Sequence, residues 1–262
     1  MSSADQFPIA LQADQEFQTE LRHAGRLLAP LPETARVAAS ELQFASFPAG
    51  SLLLGMAEDG LPVLLDLFDP LPGPLLLAGD RGSGKTTFLR SLARAANLQD
   101  PGDISFGVLT PFPEEWTALE ALPNCLGVWP AYHPSAVDFI SRLVDWAEVL
   151  PGTHQALLLL FDGFDLMTVS AFPSQQDLRW LLTFGPEWHI WPVISVIPAR
   201  LALLQTWWGY FHTCILGQVK HVRNTLCFGE APQIGLADLQ PGGQFALYQS
   251  GNWKKFRLPP LE

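Results

Sequence analysis

From residue 51 onward, short unbroken apolar runs alternate with stretches whose apolar residues recur every three or four positions. The runs are PLLLA (74–78), ISFGVL (104–109), CLGVW (125–129), ALLLLF (156–161), PVISVI (192–197) and TCILG (213–217). Helical spacing lies between them, over 85–96, 135–149, 175–184 and 201–207, with a polar stretch around Trp116. A strand that is apolar at every position buries both of its faces. The alternation therefore predicts an α/β fold with a mostly parallel sheet covered by helices on both faces. Two hairpins flank this pattern: SLLLG and LPVLLDL around an Asp-Gly turn, and QFALYQ and WKKFRL around Ser-Gly-Asn. Upstream, Leu11, Phe17, Leu21, Leu27 and Leu28 share helical spacing over 11–29, with Pro30 and Pro32 as breakers. The chain divides into an N-terminal helical appendage, 1–48, and a main α/β domain, 49–262.

Composition narrows the function. Fifteen basic residues against 26 acidic ones leave a net charge of −11, and only four residues are lysines. That argues against a general basic surface for nucleic acid and leaves room for local basic patches. Cys125, Cys214 and Cys227 are widely spaced and form no CxxC pair, which argues against a disulfide framework and a zinc site. Buried thiols suit a reducing cytosol. The N-terminus carries early acids and no apolar core of signal-peptide length. The most apolar long stretch, Ile190 to Phe211, is interrupted by Pro192, Pro198, Arg200 and Gln205, so no membrane insertion is expected. A cytoplasmic location is the expectation.

Residues 79–86 read GDRGSGKT, a full G-x-x-x-x-G-K-[ST] match directly after LLLA and before an apolar-periodic helix. This is the context a P-loop requires. Gly79, Asp80, Arg81, Gly82, Ser83 and Gly84 are expected to curl their backbone N–H groups around phosphate oxygens, helped by the dipole of the following helix. Lys85 is expected on the β- and γ-phosphates and Thr86 on Mg²⁺, with Thr87 beside it in the helix. ATP with Mg²⁺ is the expected ligand. A carboxylate at the end of a neighbouring strand completes such a site, and Asp162 after ALLLLF is the candidate, its other reading being a helix cap. Many ATPases place a glutamate next, to polarise the attacking water; here the position is Gly163. Asp165 is either its substitute or an N-cap. Arg200 is either a γ-phosphate contact or a surface arginine.

These motifs bring a resemblance into view. The stretch LLLGMAEDGLPVLLDLFDPLPGPLLLAGDRGSGKTTFLRSL resembles the start of an FtsK/SpoIIIE-type ATPase domain of the HerA/FtsK superfamily. Gly55, Gly60, Pro62, Asp66 and Leu67 hold the places of that family's G-x-x-x-x-G-x-P-v-x-x-D-L hairpin. LLLLFDGFDLM, FHTCILGQV and LQPGGQFALYQSG follow its order downstream, so the resemblance covers about residues 50 to 250. It implies a RecA-like P-loop NTPase that forms a homo-oligomer, a hexameric ring with nucleotide at subunit interfaces. Arg200 or Arg223 would then meet a neighbour's γ-phosphate. Two departures stand out. The family's translocases carry Asp-Glu at the Walker B strand end and Asp-Pro-Lys after the second core strand, where this chain has Asp162-Gly163 and VLTPFPEEW. The Asp-Gly pair resembles the later ATPase modules of the EccC/EssC motors of type VII secretion.

Three functions follow from the resemblance. The leading one is a ring ATPase that translocates or remodels DNA, with slow hydrolysis. The others are a secretion-type motor module acting on a protein partner, and a non-catalytic assembly component stabilised by ATP. For the last, Trp207, Trp208, Tyr210 and Phe211 offer either an adhesive patch or ordinary core packing. Glutamate at position 163 is expected to raise the rate if the strand end keeps the family's geometry.

Overall fold

Each apolar run becomes a strand. The computed structural model describes residues 48, 50–149, 155–167, 175–220 and 234–259; the expected helix over 11–29, Arg223 and Cys227 lie outside them. Ten strands form one sheet: β1 (Ser51–Ala57), β2 (Pro62–Asp66), β3 (Leu75–Ala78), β4 (Ile104–Thr110), β5 (Cys125–Pro130), β6 (Ala156–Phe161), β7 (Ile190–Val196), β8 (Thr213–Leu216), β9 (Gln244–Gln249) and β10 (Asn252–Arg257). Their order is β2-β1-β10-β9-β8-β3-β7-β6-β4-β5. The six strands from β8 to β5 pair in parallel, and β9, β10, β1 and β2 extend the sheet in antiparallel fashion. The two predicted hairpins therefore become neighbours, because β1 pairs with β10.

Side chains alternate between the faces of a strand, and the core divides accordingly. Leu75, Leu77, Leu158 and Leu160 pack with Phe88, Leu89, Leu92 and Ala93 of helix α1 (Lys85–Asn97). Leu76, Leu157, Leu159 and Phe161 face the other way, toward Phe139, Ile140 and Leu143 of α3 (Pro134–Val149) and Leu178, Leu181 and Leu182 of α5 (Gln175–Phe184). Between β4 and β5, a 3-10 turn at Pro113–Trp116 leads into the single turn of α2 (Thr117–Glu120). After β6 comes the short α4 (Phe164–Met167).

Two expectations change. Residues 201–207 belong to a run of 3-10 turns, Pro198–Tyr210, rather than an α-helix. Its apolar residues fall on no single 3.6-residue face, so no stripe selects the α geometry. The run PVISVI extends back to Ile190, with Pro192 inside a central strand. Proline is tolerated there because β3 pairs with β7 only from Val193 onward, while Pro192 aligns with Leu159 of β6. Trp207 is buried and meets Phe164 edge-on, with Trp208, Tyr210 and Phe211 packed partly buried against the same core. Core packing is thus the reading that holds for these aromatics. Cys125 and Cys214 sit in the core on strands separated by four others, and burial pushes the Cys125 thiol up to about 12. No helix among the described residues is long and apolar enough to cross a membrane.

Candidate phosphate and metal site

The parallel order sets the site. β3 and β6 flank β7, so the loop after β3 and the residue after β6 meet at the carboxyl ends of the strands. The loop 79–84 joins β3 to α1, and Gly84 stands at the helix start with φ 97°. That left-handed angle strains any side chain, and a Cβ on Gly84 would lie 2.4 Å from the Cα of Gly242. Position 84 is glycine on two counts.

Lys85 donates from Nζ to the carbonyls of Gly79 (2.8 Å) and Asp80 (3.0 Å), folding back over the loop. Burial lowers the proton affinity of its amine, and the carboxylates of Asp165 and Asp162 oppose that shift. Thr86 donates from Oγ1 to Oδ1 of Asp162 at 3.1 Å. The same Oδ1 accepts from Ser195 Oγ at 3.2 Å, and Oδ2 accepts from Trp116 Nε1 at 3.4 Å. Asp162 is buried, and that burial pushes its carboxyl above the usual carboxylate range, against the pull of its three hydrogen bonds. Asp162 is therefore no mere helix cap, since its oxygens face the P-loop.

Gly163 has φ 79° and donates its N–H to Ser195 Oγ at 2.7 Å. The chain bends into the left-handed region one residue past Asp162, so the condition on which a glutamate there was expected to raise the rate meets a strained backbone. An L-residue in that conformation costs roughly 1–2 kcal/mol. Asp165 lies in the first turn of α4, nearly fully buried, and its Oδ2 accepts from Arg200 Nη1 at 3.1 Å. Arg200 is one-third exposed and follows β7. The two residues left open by the sequence are thus paired with each other, close enough to Lys85 for Asp165 to act on its charge.

Other contacts hold the loop in shape. The side chain of Asp80 accepts from the Lys220 N–H (2.8 Å), and the Asp80 N–H donates to the Gln218 carbonyl (2.9 Å). On the other side, the Gly242 N–H donates to the Ser83 carbonyl at 3.0 Å. Ser83 Oγ is buried against Gly79 and Gly217, with no hydrogen-bond partner among the described residues. Asp80 and Ser83 therefore shape the loop with their side chains, whereas Arg81 stays exposed and Thr87 is half-buried on α1. The sequence reading did not single out Ser195, Trp116 or Gly242 for the site. Ser195 did leave a trace, as the one hydroxyl within PVISVI.

The sheet order and this P-loop placement match known architecture. No protein-family model and no curated protein matches the sequence. Among solved structures, EssC (ATPases 2 and 3) from Geobacillus thermodenitrificans is similar at TM-score 0.66 and 13% identity, covering 82% of this chain and 45% of that one. The cytoplasmic domain of the type VII secretion ATPase EccC from Thermomonospora curvata is similar at TM-score 0.62 and 16% identity, covering 81% and 29%. The pCW3 conjugation coupling protein TcpA, with ATPγS, gives TM-score 0.56 and 13% identity, covering 82% and 68%. The chain has the fold of an FtsK/SpoIIIE-type P-loop ATPase domain. It spans less than half the length of the EssC and EccC chains it matches. The donors that the Thr86–Asp162 pair brings together would suit Mg²⁺. They are a hydroxyl and one carboxylate, both hard oxygens, and Mg²⁺ is commonly bound by one or two carboxylates with substrate phosphates. Among the described residues no cluster of three or more His, Cys, Asp or Glu offers a rival metal site.

Substituting Asp162 separates stability from binding. Its folded-state pKa is raised, so the native state holds the proton more tightly than the unfolded chain. The stability tied to it is greatest at acid pH and is lost as pH rises from the ordinary carboxylate range through the raised value. Asp162→Asn should therefore leave the melting temperature near pH 7 unchanged or higher, while Mg²⁺ no longer strengthens nucleotide binding. A marked fall in melting temperature with metal-strengthened binding intact would refute this assignment.

Proposed function

We propose that this chain is an ATP-binding motor module of the HerA/FtsK kind, working as a homo-oligomeric ring of six subunits in the cytoplasm and acting on DNA with slow hydrolysis. The observation that carries the reading is the Thr86–Asp162 contact at 3.1 Å beside Lys85. It joins the P-loop to the strand-end carboxylate.

On nucleotide binding, Lys85 exchanges the carbonyls of Gly79 and Asp80 for phosphate oxygens, which satisfy the same donors with opposite charge. Backbone N–H groups of 81, 82 and 84–86, at the start of α1, would supply further donors, while those of Asp80 and Ser83 bond the carbonyls of Gln218 and Asp80. Mg²⁺ held by Thr86 and Asp162 would neutralise charge on the phosphates. Arg200, one-third exposed at the strand ends, is one cation available to a γ-phosphate of its own or a neighbouring subunit once it leaves Asp165. Gly163 supplies no carboxylate for the water, which supports slow rather than absent turnover.

A net charge of −11 is compatible with DNA as substrate, because a ring needs only a few basic side chains per subunit, multiplied by symmetry. A second reading has its own support. The Asp-Gly strand end and the likeness in fold to EccC and EssC favour a module that acts on protein, or an assembly component stabilised by ATP. Mass measurement at micromolar concentration with Mg²⁺ and a non-hydrolysable ATP analogue should give six subunits, and duplex DNA should stimulate ATP hydrolysis. A strictly monomeric mass contradicts the ring. Neither DNA stimulation nor low-salt DNA binding contradicts DNA as the substrate and leaves the second reading.

A further inference from the structure

Asp162 is gripped from outside the nucleotide motifs as well as within them. After β4, the Phe112 N–H donates to Thr110 Oγ1 at 3.1 Å and the chain enters the Pro113–Trp116 turn. That turn drives Trp116 into the core, fully buried beside Phe88 and Leu92 of α1. Its indole Nε1–H donates to Oδ2 of Asp162 at 3.4 Å, on the oxygen that Thr86 and Ser195 do not use. The guanidinium of Arg90 lies 5.6 Å from the indole centroid, and it bonds the carbonyl and the carboxylate of Glu115 next door. Arg90 sits on α1, the helix that begins with Lys85 and Thr86. One helix thus carries both the P-loop end and the brace for the indole.

We propose that Trp116 is a positioning residue for the metal-binding carboxylate, its indole N–H fixing the rotation of Asp162 so that Oδ1 faces Thr86. The proposal rests on the reading that Thr86 and Asp162 hold Mg²⁺ with bound nucleotide. The torsion that turns an aspartate carboxylate is soft, so its angle must be set by whatever its oxygens contact. An indole N–H is a donor only, and a buried one must find an acceptor, so the two groups constrain each other. Arg90 restrains the ring from its face, a cation–π contact that also fixes the tilt of the N–H. Such outer partners of a metal-binding carboxylate typically contribute about 10–100-fold in metal affinity.

Trp116→Phe leaves an aromatic ring for Arg90 to face but deletes the N–H together with the pyrrole ring that carries it. The test is calorimetry of the whole chain with a non-hydrolysable ATP analogue, in EDTA and across a series of Mg²⁺ concentrations. The expected result is an apparent Mg²⁺ affinity reduced by about tenfold, with analogue affinity in EDTA unchanged. A structural role alone would lower both equally. An unchanged Mg²⁺ dependence, or an equal loss with and without metal, overturns the proposal. Should Trp116→Phe fail to fold, Arg90→Met removes the brace from a partly exposed position and should shift the Mg²⁺ dependence in the same direction; no shift overturns the proposal. Wild-type protein whose analogue binding ignores Mg²⁺ would instead refute the metal site itself.

Discussion

Replacing Lys85 by alanine is expected to weaken Mg·ATP binding by about 10²–10⁴-fold, with little change in melting temperature. The ammonium makes two hydrogen bonds to loop carbonyls in the ligand-free chain and would make equivalent ones to phosphate oxygens. Hydrogen bonds to charged groups contribute about 1.5–3 kcal/mol each, so two account for about 3–6 kcal/mol, and each 1.4 kcal/mol is tenfold. Stability should change far less, because the loss of its two bonds to loop carbonyls is offset by relief of the cost of burying the charged amine. Calorimetry at matched Mg²⁺ checks the affinity. Binding within about threefold of wild type would mean that the loop 79–86 is not the phosphate cradle.

Much of this site was legible in the sequence because each part leaves a local signature. A P-loop must follow a buried strand and open a helix, and LLLA-GDRGSGKT-TFLRSL satisfies both within a few residues. Asp162 announces itself as the first polar residue after six apolar ones, at the end of a strand that must be buried. The contacts that brace these residues were not legible, since they span the chain: 33 residues separate Ser195 from Asp162, 46 separate Trp116 from it, and Gly242 reaches the P-loop from beyond β8. Trp116 was hidden further by its polar neighbours, Glu114, Glu115 and Thr117, which suggest a surface turn. Periodicity also misjudged 201–207. Helical spacing was read there, but the run Pro198–Tyr210 carries no apolar stripe, and 3-10 turns result. Nor does a bare Asp-Gly reveal its backbone: only the fold shows Gly163 at positive φ, so that the dipeptide is a bend rather than a strand end with its glutamate trimmed.

That bend governs the chemistry. Turnover is expected to fall about 10²–10⁴-fold below the 1–100 s⁻¹ typical of kinase phosphoryl transfer, because general-base help is worth about that much and Gly163 supplies none. On the proposed reading Lys85, Thr86 and Asp162 would still stabilise charge on the transferring group, so the expected hydrolysis is slow rather than zero. Gly163→Glu should not rescue it. The substitution strains the backbone by roughly 1–2 kcal/mol and threatens the 2.7 Å bond from this N–H to Ser195, which also holds Asp162. A lower melting temperature and no gain in steady-state ATPase rate are expected. Asp165→Asn should weaken the hold on Arg200 and lower the residual rate. A tenfold gain in Gly163→Glu, or fast wild-type turnover that survives Asp165→Asn, would mean that another carboxylate, such as one from a neighbouring subunit, orients the water.

All of these effects presuppose that the chain takes up nucleotide with a divalent cation at one place. Isothermal titration of the full chain with a non-hydrolysable ATP analogue, run in parallel with Mg²⁺ and with EDTA, tests that most directly. One site per chain, bound more tightly with Mg²⁺ than without, is the predicted result. No binding, or binding indifferent to Mg²⁺, would contradict it.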